Sequence, residues 1–132
     1  EMESLLKTKI ETHHEEFIHD VSFDYTGSRI ATCSSDFTIK IFYTNSSDRE
    51  DYGDGSIKAH DGPIWRISWA DPHFGTLLAT CSADRTIKFF TEEINMPGVP
   101  SKWKMTYSFT QLKECSDLKF APKRFGLKLA AC

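Results

Sequence analysis

The chain has 132 residues, room for one ordinary domain, and its 13% aromatic content argues against a disordered segment. A formal net charge of -3 gives no overall electrostatic drive towards nucleic acid or acidic membrane surfaces. No apolar run approaches the ~18 residues of a membrane-crossing helix, and Glu1-Met2-Glu3 lacks a basic-then-apolar leader pattern, so a folded intracellular domain is expected.

The expected elements are short strands. Around Val21 and Phe23 apolar and polar residues alternate over Ile18 to Phe23, the period of a half-buried strand, and Tyr25-Thr26-Gly27 is a turn. Ile30 to Ser34 is small and apolar, as in a strand buried on both faces. The tight turn Ser35-Asp36-Phe37 leads into Thr38 to Phe42, which is strongly β-favouring. A polar loop, Thr44 to Gly55, precedes an outer strand near Ser56 to Ala59. The series then restarts: Ile64 to Trp69, the turn Asp71 to Gly75, Leu78 to Ser82, Thr86 to Phe90, the loop Glu92 to Ser101, and an outer strand over Lys104 to Phe109. No stretch of ten or more residues carries a helical stripe.

The restart is an internal repeat. Gly27 to Phe42 recurs 48 positions later as Gly75 to Phe90, with ten of sixteen positions identical. A third copy starts 51 residues beyond the second, where Leu118-Lys119-Phe120-Ala121-Pro122 matches Ile67 to Asp71, and it breaks off at Cys132, opposite Cys81. The implied division is an N-terminal edge segment over residues 1–11, repeat one over 12–59, repeat two over 60–109 and a partial repeat three over 110–132.

His60, Ser82 and Asp84, followed by Thr86-Ile87-Lys88-Phe89-Phe90, resemble a WD repeat, the four-stranded blade of a β-propeller, and His14, Ser34 and Asp36 repeat the set. Ile18 to Asp24, Ala31 to Asp36 and Lys119 to Lys123 are similar to the Sec-thirteen-like branch of small nucleoporins and vesicle-coat proteins. The resemblance implies an all-β fold: about two and a half four-stranded blades of a six-bladed, open propeller. It implies a non-enzymatic scaffold of the nuclear pore at the nuclear envelope, serving mRNA and protein transport. A helical scaffold nucleoporin would donate a blade in trans beside an N-terminal edge strand, Leu5-Leu6-Lys7-Thr8-Lys9-Ile10. Subunits of the GATOR nutrient-sensing complex, at the lysosomal surface, are further partners it implies, and a COPII vesicle-coat role is the alternative. Direct nucleic-acid binding and membrane insertion are not expected.

A Ser, a His and an Asp also suggest a hydrolase using Ser34 or Ser82. The duplication in register argues for structure instead, because an enzyme seldom repeats its nucleophile with its fold. In the family the His, Ser and Asp join a Trp of the third strand in a buried hydrogen-bonded chain. Phe42 and Phe90 stand at that place here, so a network of three members is expected. No cofactor or metal is expected: His13-His14-Glu15-Glu16 lacks further ligands at useful spacing, and no phosphate-binding glycine loop occurs. Cys33, Cys81 and Cys132 are expected as free thiols in buried strands. Arg66, Lys88, Lys123 and Arg124 read as ordinary solvated surface.

Overall fold

The computed structural model describes residues 9–44, 55–93, 97 and 102–132. The first sheet orders β1 (Ile18–Phe23), β2 (Arg29–Ser34), β3 (Thr38–Tyr43) and β4 (Ser56–Lys58) in sequence, all antiparallel. The second repeats this with β5 (Ile64–Trp69), β6 (Leu77–Ser82), β7 (Thr86–Glu93) and β8 (Lys102–Thr110). A third unit contributes β9 (Leu118–Phe120) paired with β10 (Leu129–Ala131). This is the meander expected from the repeat, and together the sheets form part of a WD β-propeller. Single 3-10 turns at Pro72–Phe74 and Lys123–Phe125 occupy equivalent places after β5 and β9.

The cores lie between sheets. Ala31, Cys33, Ile39 and Ile41 of the first sheet pack with Ile64, Ile67, Leu78 and Phe90 of the second. Ala79, Cys81 and Ile87 turn the other way and pack with Cys115 and Leu118 of the third unit. Neighbouring side chains of β6 therefore enter opposite cores, as a two-residue period dictates. Its small apolar run is that of a strand covered on both faces, as the sequence leads one to expect.

The first strand of each unit pairs on one side only, which leaves an inner edge of unpaired backbone groups that must find partners elsewhere. Asp20 supplies two. Its carboxylate accepts from Val21 N at 2.9 Å and from Ile67 N, in the next sheet, at 3.0 Å. Trp69 Nε1 donates back to the carbonyl of Ser22 at 3.0 Å, and Ser68 Oγ accepts from Phe120 N at 3.4 Å. Arg29 crosses the same junction further out: Nη1 donates to Glu92 at 2.9 Å and Nε to Asp24 at 3.4 Å, with the guanidinium over the Trp69 ring at 4.9 Å.

Where no neighbouring unit stands among the described residues, the apolar face is open. Ile67 is 3% exposed beneath the first sheet, whereas its counterpart Val21 is 50% exposed. Phe23 and, at the other end, Tyr107 and Phe109 are likewise open. Cys33, Cys81 and Cys115 are buried free thiols. Cys132 is exposed, contrary to expectation: it follows β10, which among the described residues pairs with β9 alone.

Strand β8 runs from Lys102 to Thr110, longer than the sequence indicates at both ends, and most of its residues are exposed, so apolar patterning marks it weakly. What extends it is a ladder reaching Glu93 opposite Lys102, with Trp103 packed on the first core. Of the expected N-terminal edge strand, Leu5, Leu6, Lys7 and Thr8 lie outside the described residues. Lys9 and Ile10 are described and carry no strand assignment.

The β2–β3 and β6–β7 turns place Phe37 and Arg85 at φ 69° and 66°, a region that costs a side-chain-bearing residue about 1–2 kcal/mol. Both are held there because their carbonyls receive the incoming chain: Ala59 N on Phe37 at 3.0 Å, Gln111 N on Arg85 at 2.8 Å. Arg85 is exposed, so Arg85→Gly loses no packing. It should raise unfolding stability by about 0.5–1 kcal/mol after allowing for the added freedom of glycine in the unfolded chain. A raised urea midpoint is the expected reading, and a lowered one counts against strain at this turn.

Candidate functional site

The repeated His, Ser and Asp come from three places in each unit: the segment before the first strand, the end of the second strand, and the turn after it. Ala59 and His60 are drawn inward as their amides meet the Phe37 carbonyl, at 3.0 and 3.4 Å. His60 is 2% exposed. Its Nδ1 lies 2.9 Å from Asp84 Oδ2 and 3.0 Å from Thr86 Oγ1, and its Nε2 lies 2.8 Å from Thr80 Oγ1. Burial pushes the His60 pKa below its ordinary value, and the pull of Asp84 only partly offsets it. A neutral ring then donates from Nδ1 to the carboxylate and accepts at Nε2 from the Thr80 hydroxyl.

Burial works to raise the Asp84 pKa, but hydrogen bonds from the Thr86 hydroxyl and amide, the Asp61 amide and His60 prevail and hold it at about 2. The Thr86 bonds are 2.6 and 2.9 Å, and the Asp61 bond is 3.1 Å. A carboxylate with that many donors is ionised across the physiological range. Ser82 Oγ does not lie on the His60 ring nitrogens. It donates to the carbonyls of Pro63 and Gly62, at 2.7 and 3.1 Å, and accepts from Asp84 N at 3.2 Å. Lys88 Nζ donates to the carbonyl of Ala59 at 3.0 Å, pinning the residue next to His60 from the third strand.

The first unit repeats this geometry. His14 Nδ1 is 2.8 Å from Asp36 and Nε2 is 2.8 Å from Thr32 Oγ1, while Ser34 Oγ donates to the Glu16 carbonyl at 3.1 Å. Burial opposes ionisation of Asp36, and hydrogen bonds led by the Thr38 hydroxyl hold its pKa at about 2. Lys40 Nζ reaches the carbonyls of Thr12 and His13, at 3.1 and 2.6 Å.

The structure thus brings His and Asp together in each unit but places Ser on a separate arm, joined through the backbone N–H of the Asp. In place of the expected His–Ser–Asp chain the order is Thr–His–Asp: a threonine two residues before the serine meets Nε2 of the ring, and a second threonine closes on the carboxylate. Phe42 and Phe90, 4% and 3% exposed, pack apolar surface at the place of the family's Trp. Sequence reasoning missed Thr32 and Thr80, Thr38 and Thr86, and Lys40 and Lys88, although all three pairs are identical between the repeats. Lys88, read as ordinary surface, belongs to the buried network's rim. Among the described residues no buried side-chain polar atom lacks a partner, so the network is satisfied, and its bonds join the segment before the first strand to the second strand and the turn after it. Ser34 and Ser82 are each 0% exposed and face carbonyl oxygens, an arrangement in which neither is presented to a substrate.

Comparison with known proteins places these features in a family. The family model described as WD domain, G-beta repeat matches residues 4–42 and 54–91. Nucleoporin SEH1 of Homo sapiens is 42% identical over 132 residues, covering 93% of this chain and 35% of that protein. Nucleoporin SEH1 of Danio rerio is 41% identical over 128 residues, and that of Osmerus mordax 39% over 132, with the same shares covered. The chain therefore spans 35% of the length of the curated relatives it matches.

Proposed function

This chain belongs to the WD domain, G-beta repeat family, and from that membership we propose that it is a non-enzymatic scaffold propeller of the nuclear pore complex, within its Y-shaped subcomplex. The reading takes its name from the likeness to Nucleoporin SEH1. It takes its physical support from the bare face of β1. Val21 and Phe23 are 50% and 59% exposed at positions whose equivalents in the second unit lie against a neighbouring sheet. Among the described residues nothing covers this face, and an apolar sheet face of this kind is suited to receive another blade.

The donor in this reading is a helical scaffold nucleoporin that supplies strands in trans, beside the N-terminal segment Leu5 to Ile10. The propeller completed this way is six-bladed and open. Its contribution to mRNA and protein transport is architectural, and it acts at the nuclear envelope.

The test is the protein tagged at its own locus, followed by imaging and cross-linking mass spectrometry. Rim staining of the nucleus and cross-links from the first 24 residues to a helical pore scaffold subunit are expected. Removing residues 2–10 should abolish those cross-links. Recovery of COPII coat subunits, or of GATOR subunits at lysosomes, in place of pore subunits would overturn the assignment.

A further inference from the structure

A groove of about 530 Å³ opens where the first strands of the three units end, bordered by the turn after β1, the end of β5 and the end of β9. Its walls include the rings of Tyr25, Trp69 and Phe120 together with Pro122. Three polar groups along these walls are already engaged. Trp69 Nε1 is bonded to the Ser22 carbonyl, Phe120 N to Ser68 Oγ, and Asp71 Oδ1 to the amide of His73. Between the first and third units the walls therefore offer chiefly ring faces and apolar edges.

The rim differs in character. From Leu118 to Cys132 the sequence holds Lys119, Lys123, Arg124 and Lys128 and no acidic residue, within a chain of net charge -3. All four cations are exposed, and among the described residues no carboxylate pairs with them. Arg29 and Arg66, by contrast, do have carboxylate partners. Lys119 and Lys123 stand directly on the groove. Exposed, unpaired like charge beside an apolar cleft draws a ligand of opposite charge that also carries an apolar anchor.

We propose that this groove docks a short acidic peptide segment of a partner protein, with an aromatic side chain seated on Tyr25 and Trp69 and flanking carboxylates over Lys119 and Lys123. A single-stranded nucleic acid fits less well. The described lining holds two cations, Lys119 and Lys123, both from the third unit, too few to track successive phosphates. The site lies at the ends of the first strands.

The test uses the whole chain and a fluorescein-labelled Glu-Asp-Phe-Glu-Asp peptide, read by fluorescence anisotropy. Saturable binding in the micromolar range is expected, weakened on raising the salt. Lys119→Glu with Lys123→Glu should weaken it at least about tenfold, as should Tyr25→Ala. All three positions are exposed, so unchanged thermal melting should accompany the loss. Replacing the peptide's Phe by Ala should have a comparable effect. Absence of saturation up to about 1 mM peptide, equal binding by the charge-reversed variant, or tighter binding of an oligo-dT strand would each overturn the proposal.

Discussion

Arg29→Ala is expected to lower unfolding stability by about 3 kcal/mol, as removal of one partner from a buried ion pair does. The Arg29 side chain is 16% exposed, Glu92 9% and Asp24 11%, so water cannot readily replace the guanidinium. The substitution also removes a cation from above the Trp69 ring, 4.9 Å away, at the junction of the first and second sheets. Arg29→Lys should recover part of the loss, since a point charge keeps the attraction but cannot serve two carboxylates in one plane. Urea unfolding of Arg29→Ala, Glu92→Gln and the double variant checks the argument. The double variant should lose less than the two single losses added together. A single-variant loss below about 1 kcal/mol would show that the pair is effectively solvated.

Removing the imidazole at the centre of the second network should have an effect of similar size. His60→Ala empties a buried site and deletes the ring's bonds to Asp84 and Thr80, for an expected loss of about 3 kcal/mol. The pH dependence separates this ring from a passive filler. Burial depresses the folded pKa of His60, so the unfolded chain binds the proton more readily. The stability owed to the neutral ring is present above the unfolded value of about 6.5 and is lost as pH falls from there towards the lower folded value. Asp84 acts lower on the scale. Its contribution is present above the unfolded carboxylate value of about 4 and is lost as pH falls through its folded value of about 2. The stability gap between wild type and His60→Ala should therefore narrow between about pH 7 and pH 5. A gap that stays constant, or an unchanged melting temperature for the variant, would refute a structural role for the neutral ring.

Much of the architecture was legible because its physics is periodic. Alternation at Val21 and Phe23, a doubly buried run at Leu78 to Ser82 and the 48-residue recurrence each point to the same meander, and the sheets follow it strand by strand. The outer strand β8 was under-read since most of its residues are exposed, and a strand held mainly by backbone pairing leaves little trace in hydropathy. The His–Asp pairing was legible from its repetition. The threonines that complete it were not, because a Thr within a strand is already explained by β propensity. Arg29 with Glu92 could not be read at all: the two are 63 positions apart, and only the packing of one sheet on the next brings them together.

The Asp20 carboxylate, bound to the inner-edge amides of two successive sheets, makes the Ile67 amide a reporter of docking rather than of its own ladder. That N–H can exchange with solvent when the first sheet separates from the second, even while β5 and β6 remain paired. Stability along such an array behaves as a nearest-neighbour chain, in which each unit borrows protection from the one before it and lends it to the one after. Damage confined to the first sheet should thus accelerate exchange at the Ile67 amide and the Trp69 indole N–H well before it is felt at the Phe120 amide, so that loosening spreads along the array as a graded front.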